Sequence, residues 1–126
     1  MQPQKVWAVY FSGTGTTEKT VRRIASSLAA AFSAPLEAVD FTAPAVRKEA
    51  LTFGPDDLVV LGTPTYAGRV PNVLLPYLTE QIRGAATLAV PVVLFGNRDF
   101  DDSLMELRNI MTANGFVPVA AAAFVG

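Results

Sequence analysis

Between Ser12 and Thr17 the chain reads Ser-Gly-Thr-Gly-Thr-Thr, with hydroxyls on Ser12, Thr14, Thr16 and Thr17 and glycines at 13 and 15. Glycines let the backbone turn tightly and come close to a ligand. The run joins an apolar, strand-like stretch to a helix-like one. Its amides and the helix N-terminus would therefore point at one volume, where aligned N–H groups favour an anion. No Lys or Arg lies in the run, so neutral donors would hold that anion. Such a set suits one phosphate monoester more than a triphosphate. Two rival phosphate motifs fail on the letters. The dinucleotide fingerprint needs a third glycine where Glu18 stands, and the P-loop needs a Lys that is absent. A turn that merely caps the helix would require fewer hydroxyls.

Two further stretches share that character. Gly62-Thr63-Pro64-Thr65-Tyr66-Ala67-Gly68-Arg69 sets one aromatic among small residues, and Gly96-Asn97-Arg98-Asp99-Phe100-Asp101 carries a second. A flat aromatic ligand binds well against a Tyr or Phe face, and Tyr loses little freedom in doing so. The plainer alternatives are that Tyr66 covers a sheet edge and that Phe100 packs under the next helix.

Alternating patterns position these three loops. Lys5–Phe11 is a short apolar run, read as a buried strand. Val21, Ile24, Ala25, Leu28, Ala29 and Phe32 share one helix face, and Pro35 closes that element. Leu36–Phe41 alternates as an edge strand. Thr42–Leu51 suggests a short helix, with Pro44 near its start. Leu58–Gly62 is a central strand, and Asn72–Ile82 a helix with Pro76 near its first turns. Thr87–Phe95 is a fourth strand interrupted by Pro91. Ser103–Asn114 is a helix with Ser103 and Glu106 spaced as a capping box and Gly115 after its end. Phe116–Val125 is a fifth strand. This alternation predicts one α/β domain over residues 1–126, a doubly wound five-stranded parallel sheet of order 2-1-3-4-5. All three special loops then fall at strand carboxyl ends, where open α/β sheets bind ligands.

Composition narrows the chemistry. The chain has 126 residues, 51% hydrophobic and 17% charged, against a usual charged share of about 25%. A net charge of −1 argues against sequence-independent nucleic-acid binding. With neither Cys nor His, it offers no disulfide, zinc or Cys-ligated cluster site, no thiol nucleophile and no His base. Whatever chemistry occurs would therefore come from a bound cofactor or from Ser, Thr, Tyr, Asp, Glu, Lys and Arg side chains. Met1–Lys5 leads straight into the first strand without a signal-like h-region. No apolar run approaches the ~18 residues of a membrane span. A cytoplasmic location without a membrane role is the expectation.

The run Ala8-Val9-Tyr10-Phe11-Ser12-Gly13-Thr14-Gly15-Thr16-Thr17 resembles the FMN phosphate loop of flavodoxins. Ala8 and Val21 depart from that pattern, which has Ile, Leu or Val at the first position and Ala at the second. Both are packing positions. The two aromatic loops look like those of a flavodoxin-like domain that one bacterial and archaeal family fuses to a ferredoxin-type domain with two [4Fe–4S] clusters. The similarity runs from the first strand to the fifth. No ferredoxin half and no Cys accompany it here. The resemblance implies FMN as cofactor, with the 5′-phosphate on Ser12, Gly13, Thr14, Gly15, Thr16 and Thr17. It places the ring among Thr63, Pro64, Thr65, Tyr66, Ala67 and Gly68 and among Gly96, Asn97, Arg98, Asp99 and Phe100. It further implies an electron carrier rather than a stand-alone enzyme, working with a redox protein partner such as a ferredoxin-type protein. An FMN-dependent NAD(P)H:quinone-type reductase and an FMN-free interaction module are the competing readings.

Two consequences are expected. Arg69 and Arg98 near the ring would stabilise an anionic reduced flavin and make its potential less negative than in acidic flavodoxins. The helix that usually follows the fifth strand is missing, so apolar surface beside that strand would lie open. A second copy, a C-terminal domain or another partner is expected to cover it.

Overall fold

The computed structural model describes residues 2–96 and 101–125. The expected ring-loop residues Asn97, Arg98, Asp99 and Phe100 lie outside the described residues. The chain begins with β1 (Lys5–Tyr10), α1 (Thr16–Phe32) and β2 (Leu36–Asp40). A single 3-10 turn at Val46–Lys48 precedes β3 (Leu51–Thr52) and β4 (Asp57–Pro64). Another at Asn72–Leu74 leads into α2 (Leu75–Glu80), β5 (Ile82–Arg83) and β6 (Thr87–Phe95). Then come α3 (Asp101–Ala113), β7 (Phe116–Pro118) and β8 (Ala122–Val125).

The main sheet runs β2-β1-β4-β6-β7, with β8 also on β6, and every pairing is parallel. Counted as the predicted strands, this is the expected order 2-1-3-4-5. The chain leaves β1 to one side for β2 and to the other for β4, so the order reverses at β1. A ligand crevice belongs beside that point, at the strand carboxyl ends.

Alternation along the strands sorts the core into two layers. On one face Val21, Ala25 and Ala29 of α1 pack on Val6, Ala8, Tyr10, Leu58 and Val60. On the other, Leu74, Tyr77, Leu78, Leu107 and Met111 cover Val9, Val59, Leu61 and Val93. Phe116 and Ala123 pack toward this second layer. Their neighbours Val117 and Phe124 therefore face the α1 side, where they stay 46% and 41% exposed. Val119 and Val125 beside them are also exposed.

Several local expectations change. Thr42–Leu51 makes only one 3-10 turn, because none of its three residues is buried and a helix without a face to bury gains nothing from extension. Leu51–Thr52 instead pairs with β5 as a small second sheet. Phe53 anchors it against Trp7 and Phe116, with ring centroids 5.2 and 6.1 Å away. Pro91 does not break β6. Ala89 accepts from the Val119 amide, 2.9 Å, and residue 91 faces the same neighbour by alternation. The missing proline donor thus falls on the last strand, which is where that strand breaks. Thr87–Ala89 pairs with Phe116–Pro118, whereas Val92–Phe95 pairs with Ala122–Val125, one residue out of step. The extra residue is a bulge.

The expected capping box at Ser103 and Glu106 is also corrected. Helix α3 starts at Asp101, so Ser103 lies inside it. The Glu106 carboxylate turns toward Arg69 and Val70 instead.

Candidate functional site

The first loop is tied to both neighbouring strands. Thr42, just past β2, accepts a bond from the Ser12 amide on its Oγ1, 2.9 Å, and the Thr42 amide donates to Asp40 at 2.8 Å. Gly15 then takes φ +90° as the residue before α1. A side chain there would be strained, so glycine is needed. With no side chain at that position to cap the helix, Ser12 reaches in. Its Oγ accepts from the amides of Gly15 at 3.0 Å and Glu18 at 3.1 Å. A hydroxyl has two acceptor lone pairs and one proton. Both lone pairs of Ser12 are filled by backbone, so its proton is left to donate to an acceptor beside the helix N-terminus. Thr14 and Thr16 stand together at 3.4 Å between hydroxyl oxygens. Thr17 is buried against β4.

The second loop is a tight two-residue turn. Tyr66 and Arg69 exchange both backbone bonds, at 2.9 and 3.0 Å. Ala67 and Gly68 between them have φ +53° and +79°, the signature of a type I′ turn. The Tyr66 side chain is 53% exposed at this tip. The turn is fastened to α3 at two places. Thr65 and Ser103 share a hydroxyl–hydroxyl bond of 2.9 Å. Glu106 takes Arg69 in a two-pronged pair, 3.2 Å to Nε and 2.7 Å to Nη2, and accepts the Val70 amide at 3.0 Å. The Arg69 guanidinium holds the Glu106 carboxyl below the usual Glu range, helped by the Val70 amide and opposed by partial burial.

A cavity of about 150 Å³ joins the loops, lined by Thr14, Thr16, Thr17, Pro64, Thr65, Leu94, Phe95 and Gly96. Six of the expected residues thus meet in one volume. Ser12, Gly13 and Gly15 belong to the same loop without lining this cavity, and Tyr66, Ala67 and Gly68 form the neighbouring turn. Thr63 behaves differently. It shares the sheet face of Val59 and Leu61, is fully buried, and its hydroxyl has no partner among the described residues.

A larger depression of about 560 Å³ lies between α2 and α3, lined by Leu75, Met105 and Ile110 with Arg69 and Glu106 at its rim. Its lining includes the carboxylates of Asp102 and Glu106, a poorer setting for an anion than the hydroxyl-lined smaller cavity. Among the described residues no group of His, Cys, Asp or Glu could hold a metal, and no helix is long and apolar enough to cross a membrane.

Three features carry no distinct signal in the sequence: Thr42 lies outside the expected loops, Leu94 and Phe95 belong to a strand pattern, and Glu106 has the spacing of a helix cap. Of the two arginines expected near the ring, Arg69 is paired with the Glu106 carboxylate, and Arg98 lies outside the described residues.

No protein-family model and no curated protein matches the chain. A crystal structure described as a putative flavoprotein from Bacteroides uniformis is similar over 98% of this chain and 90% of its own, with TM-score 0.63 and 15% identity. Together with the parallel order reversing at β1, that likeness establishes the architecture: the chain has the flavodoxin-like doubly wound fold.

Proposed function

We propose that this chain binds FMN non-covalently through its 5′-phosphate and serves as an electron carrier between protein partners, one of them an iron–sulfur protein. The observation that carries the reading is the Ser12 hydroxyl. Backbone amides fill both of its acceptor sites, so its proton suits a ligand oxygen at the helix N-terminus. The neighbouring threonines supply further neutral donors, which favours a monoester phosphate.

Size supports the same division of labour. Drug-sized ligands fill pockets of roughly 300–1,000 Å³. A cavity of about 150 Å³ has room for a phosphate and part of a polyol chain. The ring would lie outside it, against the half-exposed Tyr66. The described flavoprotein with the same fold agrees with a flavin. Bound FMN supplies one- and two-electron transfer. The chain's own task is then to grip the phosphate, flank the ring and leave its edge open, which needs no catalytic base.

The test is a spectrum and a turnover assay. Protein reconstituted with FMN should stay yellow after gel filtration and accept electrons from dithionite. It should exchange electrons with a reduced ferredoxin and turn over NAD(P)H with quinones negligibly. Colourless protein after reconstitution contradicts FMN binding, and rapid NAD(P)H:quinone turnover contradicts the carrier role.

A further inference from the structure

We infer that Glu106 is a positioning residue of this site: from α3 it sets the Tyr66–Arg69 turn, and thereby the Tyr66 ring, for contact with the flavin. The inference rests on the flavin reading above.

The turn has little else to hold its tip. Tyr66 is half exposed, so packing does not fix its ring. Ala67 sits in a left-handed conformation that disfavours an alanine. An isolated two-stranded turn is marginal in water. Against this, Glu106 uses both carboxylate oxygens on the turn. One meets Arg69 Nη2; the other meets Arg69 Nε and the Val70 amide. Its side chain is only 17% exposed while that of Arg69 is 60% exposed, so the geometry of the pair, more than its Coulomb energy, holds the turn. Two parallel bonds fix direction as well as distance. Arg69 and Tyr66 are directly opposed across the turn through their paired backbones, and opposed residues present their side chains on one face. Holding Arg69 therefore holds the plane from which Tyr66 projects. The same helix grips Thr65 through Ser103, so α3 sets one end of the turn as well as its far side.

A double-mutant cycle tests this. FMN titrations would be followed by flavin fluorescence for wild type, E106A, Y66A and E106A/Y66A. Losing the latch should raise the FMN Kd about tenfold and reduce quenching of the bound flavin. In the Y66A background E106A should change Kd less than about twofold, because the ring it positions is gone. E106Q should restore most of the affinity, since its amide oxygen still accepts the Val70 N–H. An unchanged Kd in E106A, or an equal loss with and without Tyr66, overturns the inference. If E106A does not fold, R69M replaces it in the cycle with the same expectations. Absence of FMN binding by the wild type overturns this inference together with the flavin reading. Tight wild-type binding without coupling overturns this inference alone.

Discussion

The Val21 Cγ2 methyl occupies the space that a Cβ on residue 62 would take. Helix α1 therefore lies against β4 closely enough that only glycine fits beneath it, and Thr17 packs at the same spot. The valine that departs from the alanine usual in flavodoxins is thus accommodated by the missing side chain of Gly62. Thr17 lies in the first turn of α1 and lines the cavity, so this contact bears on the cavity wall.

Substituting Gly62→Ala should force α1 outward. We expect a loss of about 1–3 kcal/mol in urea unfolding, in the range of overpacked cores. FMN affinity should fall as Thr17 moves. Adding Val21→Ala should recover much of both. An additive double mutant would contradict the packing account.

Asn114 ties the second layer together. Its side-chain amide donates to the carbonyls of Leu78, Thr79 and Ile82 at 2.8, 3.2 and 2.9 Å, from a buried position. Asn114→Ala leaves those carbonyls, which end α2 and flank β5, without that donor. We expect a cost of about 1–3 kcal/mol by denaturant unfolding. FMN affinity should be unaffected, because none of these groups reaches the cradle. Asn114→Asp should not rescue, since a carboxylate cannot donate.

The Glu106 latch predicts a pH dependence of definite sign. Its carboxyl is held below the usual Glu range by Arg69, so the pair stabilises the fold above the unfolded value of about 4.3. That stabilisation is lost as pH falls through the lower, folded value. Melting temperatures measured from pH 7 down to pH 3 should decline less steeply in E106Q than in wild type. Identical profiles would contradict the assignment.

How much of this is legible in the letters follows from what each signal depends on. The strand order is readable because apolar runs alternate with helical periods, and parallel crossovers have one hand. Thr14, Thr16 and Thr17 are readable because glycines and hydroxyls crowd one strand–helix junction. The role of Glu106 is not, because Ser103 and Glu106 also have the spacing of a local cap, and only tertiary proximity brings Arg69 within reach. Thr42 is likewise hidden, since its contact with Ser12 spans the gap between two strands. The short helix expected at Thr42–Leu51 fails for want of a surface to cover, which local propensity does not encode. The register slip opposite Pro91 depends on which neighbour the missing amide faces, and that needs the sheet.

The central claim is that the Ser12–Thr17 cradle grips a phosphate ester. Calorimetric titration of the wild type with FMN and with riboflavin, which lacks the phosphate, tests it most directly, with Ser12→Ala as the third arm. We predict that FMN binds at least about 100-fold more tightly than riboflavin, as several phosphate hydrogen bonds of about 1 kcal/mol or more each imply. Ser12→Ala should narrow that gap by weakening FMN alone. Equal affinities for the two flavins, or a gap untouched by Ser12→Ala, would contradict the account.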